Sequence, residues 1–232
     1  GFDAPELLAN DRDLRAELAA DLWRALAQDE AGTDDLLALW PGGHDALATD
    51  LPGLLREPVL LPPQAEDDGS DAAVQARFSV AETQLQQAVR AHGMAFFDAL
   101  ASAIDADVMN RASYKLEWLA ELWRWLQAFA DDPRQAGEPH AKLEKLTAAA
   151  LETGTKKAHA GKTPTSPELS ATVVAYLDAR QALETVLARR RATLLHRIRE
   201  EARVRIAKLK RQRRVQTYGD LIDGVADAVG GP

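Results

Sequence analysis

The chain of 232 residues contains no cysteine. Disulfides and thiolate metal sites are therefore excluded. β-Branched residues are sparse, while Ala, Leu, Asp and Arg dominate. That mixture favours helix, because Ala and straight-chain residues lose little side-chain freedom there. No apolar run approaches the ~20 residues that a membrane-crossing helix needs. The opening stretch, GFDAPELLANDRD, lacks the apolar core of a secretory leader. A cytoplasmic setting without membrane partners is expected. Glycine and proline are absent from residues 168–218, so nothing there forces a helix to stop.

The hydrophobic fraction of 46% supports a core, and the periodicity is helical throughout. From Asp11, the positions Leu14, Leu18, Leu22, Trp23 and Leu26 recur at helical spacing. Thr33 is placed to cap a short helix through Leu39, and another short helix is expected at His44–Ala48. Prolines and acids then predict a linker over 56–69. Ser70 is an expected N-cap for a long helix to Ile104, with Gly93 as its weak point. A turn at DADVMN leads to a helix capped by Ser113 that carries Trp118, Trp123 and Trp125. Core packing suits these rings better than base stacking. A helix at His140–Glu152 and a polar loop follow.

Ser166 and Pro167 give a strong helix start. Unbroken to Arg214, that helix would span roughly 70 Å at 1.5 Å per residue. Val173, Leu177 and Leu183 form one apolar phase. Leu194, Ile198, Ala202, Ile206 and Leu209 form another, and a bend is expected between them at Arg189–Arg191. No alternating segment reads as a strand. The expected class is all-α: a single helical domain over 1–232 with a long, basic C-terminal helix.

Charge is segregated along the chain. Residues 189–214 hold twelve Lys/Arg against two Glu, a balance of +10, and the remainder carries −18. A cationic segment on an acidic body can meet phosphate locally. Against this stands the ordinary reading of a charge run as a solvated face, aided by the helix dipole. Arg203, Arg205, Lys208, Lys210, Arg211, Arg213 and Arg214 are the candidate phosphate contacts. Asn110, Arg111 and Lys115, at a helix start, form a weaker second set.

Other motifs fail on spacing. Gly161–Pro164 lacks the preceding glycine of a phosphate loop and follows no strand. The five histidines are isolated, so no metal site is expected. Glu117 and Glu121 read as a solvated pair. No nucleophile, base and orienting group can be assembled, which leaves a binding or scaffolding module with no cofactor of its own.

The stretch KLKRQRRVQTYGDLI nevertheless resembles a junction in superfamily 1 DNA helicases of the UvrD/RecB type. There a basic helix returns from a helical insertion into the first motor domain through a Thr-Phe-Asp-Asp-Leu-Leu segment. Here Thr217, Tyr218, Gly219, Asp220, Leu221 and Ile222 stand in its place, with Gly219 replacing the first Asp. Phe2–Leu26, LLREPVLLPPQAEDD and DADVMNRASYKLEWL are similar to further segments of this insertion in the exodeoxyribonuclease V beta-subunit family. The resemblance implies a helical insertion subdomain (1B), with 216–232 starting the return into the motor. It implies a parent that unwinds and degrades DNA in recombinational repair, using ATP and Mg2+ bound outside these residues. The implied partners are double-stranded DNA ends, unwound strands and the gamma and delta subunits. The rival expectation is a non-enzymatic helical module whose basic helix docks an acidic partner or a second copy. Thr217 and Asp220, three apart, also match a capping box.

Overall fold

A computed structural model describes residues 6–8, 11–57, 59–64, 71–217 and 220–221. The expected cap Ser70, Pro58 and residues 65–69 of the expected linker lie outside that set. So do Tyr218, Gly219 and the return segment from Ile222. The fold is all-α. The chain forms two compact units, one built from 1–66 with 187–232 and the other from 67–186.

In the first unit, α1 (Arg12–Leu26), α2 (Glu30–Leu39) and α3 (His44–Arg56) surround a core of Leu18, Leu22, Leu36, Leu47 and Leu51. Each fully buried leucine contributes about 1.5–3 kcal/mol. Ile198 and Ala202 of the long helix α8 (Pro167–Arg213) are fully buried in the same core. Two expectations need correction. Asp29, not Thr33, caps α2, accepting from the Gly32 amide at 2.7 Å; Thr33 lies one turn inside and donates to the Asp29 carbonyl. Helix α3 continues past Ala48 to Arg56 and absorbs Pro52, because both Leu47 and Leu51 are buried on its inner face.

A short parallel pair, not expected from the sequence, joins β1 (Glu6–Leu8) to β2 (Val215–Thr217), with Leu7 opposite Gln216. No third strand joins them among the described residues.

The second unit centres on α4 (Asp71–Asp105) and α5 (Leu116–Asp131). Gly93 is buried because the Trp123 ring lies where a side chain would begin, 2.7 Å from an added Cβ. Trp123 also packs on Phe97 with ring centroids 4.7 Å apart, and Trp118 and Trp125 border the same core. The tryptophans therefore pack. Lys115 precedes α5 in extended conformation, so Ser113 is no cap. Tyr114 explains the shift, since it is buried with its hydroxyl donating to the Lys145 carbonyl at 2.9 Å. Burial pushes that hydroxyl up to about 12. The helix expected over His140–Glu152 is instead a 3-10 turn at Leu143–Leu146 followed by α7 (Ala148–Gly154), capped by Thr147.

Helix α8 begins at Pro167 as expected and stays one helix through Arg189–Arg191. Its imperfect apolar pattern reflects two destinations. Leu169, Val173 and Tyr176 enter the core of the second unit, while Leu194, Ile198 and Ala202 enter that of the first. No described helix is long and apolar enough to cross a membrane.

Gly154 offers a direct test of the second core. A Cβ there would lie 2.0 Å from the Tyr114 ring, which the Lys145 hydrogen bond keeps from moving aside. Gly154→Ala should lower stability by about 1–3 kcal/mol, read as a fall in the urea midpoint. An unchanged midpoint would show that the ring is not fixed there.

Candidate nucleic-acid interface

The basic segment emerges from the first unit on a helix whose rotation is set by Ile198 and Ala202. Side chains at 100° intervals then face different surroundings. Lys210 and Arg213 both meet carboxylates. The Lys210 ammonium lies 2.7 and 2.8 Å from the two oxygens of Asp220. Arg213 pairs with Glu17 of α1. Further up, the nearly buried Asp35 of α2 receives Arg190 at 2.7 Å and Arg191 at 3.9 Å. Burial raises the Asp35 carboxyl, and the two guanidiniums only partly offset it. Arg199, itself buried, donates to the Glu57 carbonyl.

A second group pairs along the helix surface. Arg203 lies 3.4 Å from Glu200, and Glu201 is shared by Arg197 at 2.9 Å and Arg205 at 2.7 Å. Such i,i+3 and i,i+4 pairs along one helix are worth only about 0.3–0.5 kcal/mol. They leave the guanidiniums exchangeable.

Lys208, Arg211 and Arg214 form the third group. All three are exposed, and no described carboxylate pairs with them. They follow one another at three-residue intervals along the end of α8 and just past it. Arg214 lies just past the helix end with φ +56°, its amide donating to the Arg211 carbonyl at 3.2 Å. Arg211 and Arg214 line an open depression with Lys210, Gln216 and Asp220. Of the seven cations expected here to meet phosphate, three are thus unpaired, three hold solvent-accessible ion pairs and Lys210 is clamped.

The second expected set lies in the other unit and does not form a cationic patch. The Asn110 side chain accepts from the Ala112 amide at 3.0 Å, closing a local turn. Arg111 pairs with Asp107 at 3.2 Å, and Lys156 reaches the same carboxylate at 2.7 Å. The hydrogen bond from Lys156 lowers the Asp107 carboxyl against an opposing desolvation, and the charges of Lys156 and Arg111 add to the lowering. Lys115 alone is exposed and unpaired among the described residues. Among the described residues no cluster of His, Asp and Glu is arranged to hold a metal ion.

The capping box is present in full. The Thr217 amide donates to Asp220 at 2.7 Å, and the Asp220 amide returns to the Thr217 hydroxyl at 3.3 Å. Sequence reasoning missed the link from Asp220 to Lys210. Its only signal is a spacing of ten residues along a basic helix and the turn after it. No protein-family model matches the chain, and no curated protein matches it.

Burial pushes the Asp220 carboxyl up, but the Lys210 ammonium and the Thr217 donors outweigh it and hold the group below its usual range. A depressed carboxyl contributes stability that is present above its unfolded value and is lost as pH falls through the folded one. Wild type should therefore unfold at a higher urea midpoint than Asp220→Asn at neutral pH. The gap should close below pH 3.8. A gap that widens in acid would reverse the assignment.

Proposed function

We propose that the exposed cations at the end of α8 lie along the sugar–phosphate backbone of DNA and hold it without reading sequence. The observation that carries this is the row Lys208, Arg211 and Arg214, left without carboxylate partners among the described residues on a chain that is otherwise strongly acidic. The row covers about 9 Å of helix, the axial distance of two to three phosphates on one strand. Arginine forks match phosphate oxygens, and lysine adds a point charge. Arg203 and Arg205 join the contact by exchanging their weak helical partners for phosphate. Contacts of this kind position the duplex and carry no sequence information.

The same reading places the chain as the helical insertion of a superfamily 1 helicase of the exodeoxyribonuclease V beta-subunit type. Its support is the residue resemblance together with the pairing of β1 with β2. Two parallel strands of three residues each are too small to persist alone, and parallel sheets are ordinarily wide and covered by helices. A pair of neighbouring strands leading into and out of a helical excursion suits an insertion in such a sheet. ATP and Mg2+ would then act in the remainder of the polypeptide, as would the nuclease. The gamma and delta subunits would be partners, DNA ends and unwound strands the substrates, and the cytoplasm the setting. A Gly-Lys-Thr loop encoded upstream and an Asp-Glu motif encoded downstream would test this parentage directly.

Val204 favours one other reading. It is 68% exposed between Arg203 and Arg205, on the open side of α8, as a helix that docks on a protein would require. Sizing of the chain separates the two, since a stable homodimer speaks for docking.

The DNA reading has a quantitative test. Each phosphate contact adds about 0.9 to the slope of log affinity against log salt. Replacing Lys208, Arg211 and Arg214 together by Gln should flatten that slope by up to about 2.7. The loss should be equal for duplexes of unrelated sequence in a fluorescence-anisotropy titration. A triple variant with the wild-type slope would falsify the proposal.

A further inference from the structure

Lys210 sits between the available cations in sequence and lines the same depression as Arg211 and Arg214. It nevertheless faces a carboxylate held in place from three directions. Asp220 accepts from the Lys210 ammonium through both oxygens, from the Thr217 amide at 2.7 Å and from the Thr217 hydroxyl at 2.8 Å. The Lys210 side chain keeps only 18% of its surface exposed. This differs from the pairs at Arg203 and Arg205, whose carboxylates are borne by the same helix and accept from arginines alone. A phosphate approaching Lys210 must displace an anion that is already fixed by a capping box, and it gains no entropy from freeing the lysine alone.

We infer that Asp220 is a residue that sets the strength of the phosphate grip by withholding Lys210 from it. The inference rests on the phosphate-binding reading of α8 given above and adds which cation is kept out, and by what. Asp220 also places its own negative charge in the depression beside Arg211 and Arg214. It thereby limits the contact at this end of α8 to the cations on the open face. Fewer contacts mean a shallower salt dependence and quicker release, which suits a surface that must let go of one stretch of backbone and take the next.

The substitution Asp220→Asn isolates the effect. Asparagine keeps an oxygen to accept from the Thr217 amide, so the turn remains capped, but it no longer neutralises the ammonium. Lys210 then becomes a new phosphate contact. For the 232-residue chain binding a labelled duplex, the slope of log affinity against log salt should steepen by about 0.9 relative to wild type. Between 50 and 200 mM salt the variant should lose about 3.5-fold more affinity than wild type does. The double variant Asp220→Asn/Lys210→Gln should return to the wild-type slope. Glu30→Gln removes one exposed carboxylate from the same unit and controls for net charge; its slope should stay within the error of wild type.

The outcomes separate. Wild-type binding that does not vary with salt, or no binding at all, overturns the phosphate reading and this inference with it. A wild type with the expected slope and an Asp220→Asn line merely parallel to it overturns the inference alone. So does a steeper slope that persists in the double variant, or one that Glu30→Gln reproduces.

Discussion

Burial of Ile198 and Ala202 against the leucines of α1 and α3 fixes the rotation of α8 in the first unit, and the fate of every cation beyond them follows from that. A helix turned so that these two positions face inward carries Arg211 to its outer side and leaves Lys208 and Lys210 on opposite flanks, each about 100° from the core-facing direction. Lys210, the least exposed of these cations, requires a partner, and Asp220 supplies it. Arg213 meets Glu17 in a pair that stays exposed to solvent. Charges on the outward side keep their hydration and need none. That contact, together with the carboxylates of Asp220 and Glu17, sorts a run of cations that looks uniform in sequence into paired and available members.

The sorting has an energetic gradient as well as a geometric one. Asp35 illustrates the inner extreme. Its burial disfavours ionisation so strongly that two neighbouring arginines do not restore an ordinary carboxyl, so the contact specifies where α2 meets α8 more than it stabilises the fold. Lys210 and Asp220 are intermediate: partly exposed, yet geometrically complete through Thr217. The Arg203–Glu200 pair is the outer extreme, where water screens the attraction and little is lost on exchange. An anion approaching from solvent meets these in reverse order, first the free cations, then the exchangeable ones, and the clamped ones last.

What the sequence disclosed and what it withheld divide along the same line. Local signals were legible. Ser166 and Pro167 announced the start of α8, the Trp118–Trp125 spacing announced a packing face, and Thr217 with Asp220 announced a capping box. Caps at Thr33 and Ser113 failed because another residue won the local competition. Asp29 reached the free amides first, and Tyr114 was drawn into the core with its hydroxyl bonded to Lys145, which delayed the helix. Partners distant in sequence were illegible. Glu17 and Arg213 are 196 positions apart, and nothing in either neighbourhood names the other. The β1–β2 pairing was hidden for the same reason, since three residues at each end show no alternation to read. The candidate site was therefore visible as a charged segment but not as a sorted surface. The division into free and clamped cations depends on helix rotation, which only the tertiary packing decides.

The acidity of the remainder of the chain bears on how such a surface would work. At physiological ionic strength charges farther apart than about 8 Å are largely screened, so the negative surface elsewhere does not cancel the local attraction of Lys208, Arg211 and Arg214. It does oppose phosphate wherever else a duplex might settle. An acidic body with one cationic row accordingly favours few binding orientations over many, where a uniformly basic protein would bind in any pose. Orientation, more than affinity, is what this distribution of charge supplies. On the proposed phosphate-binding reading Asp220 fits that logic, because a weaker grip confined to one face would preserve direction while allowing the backbone to move on.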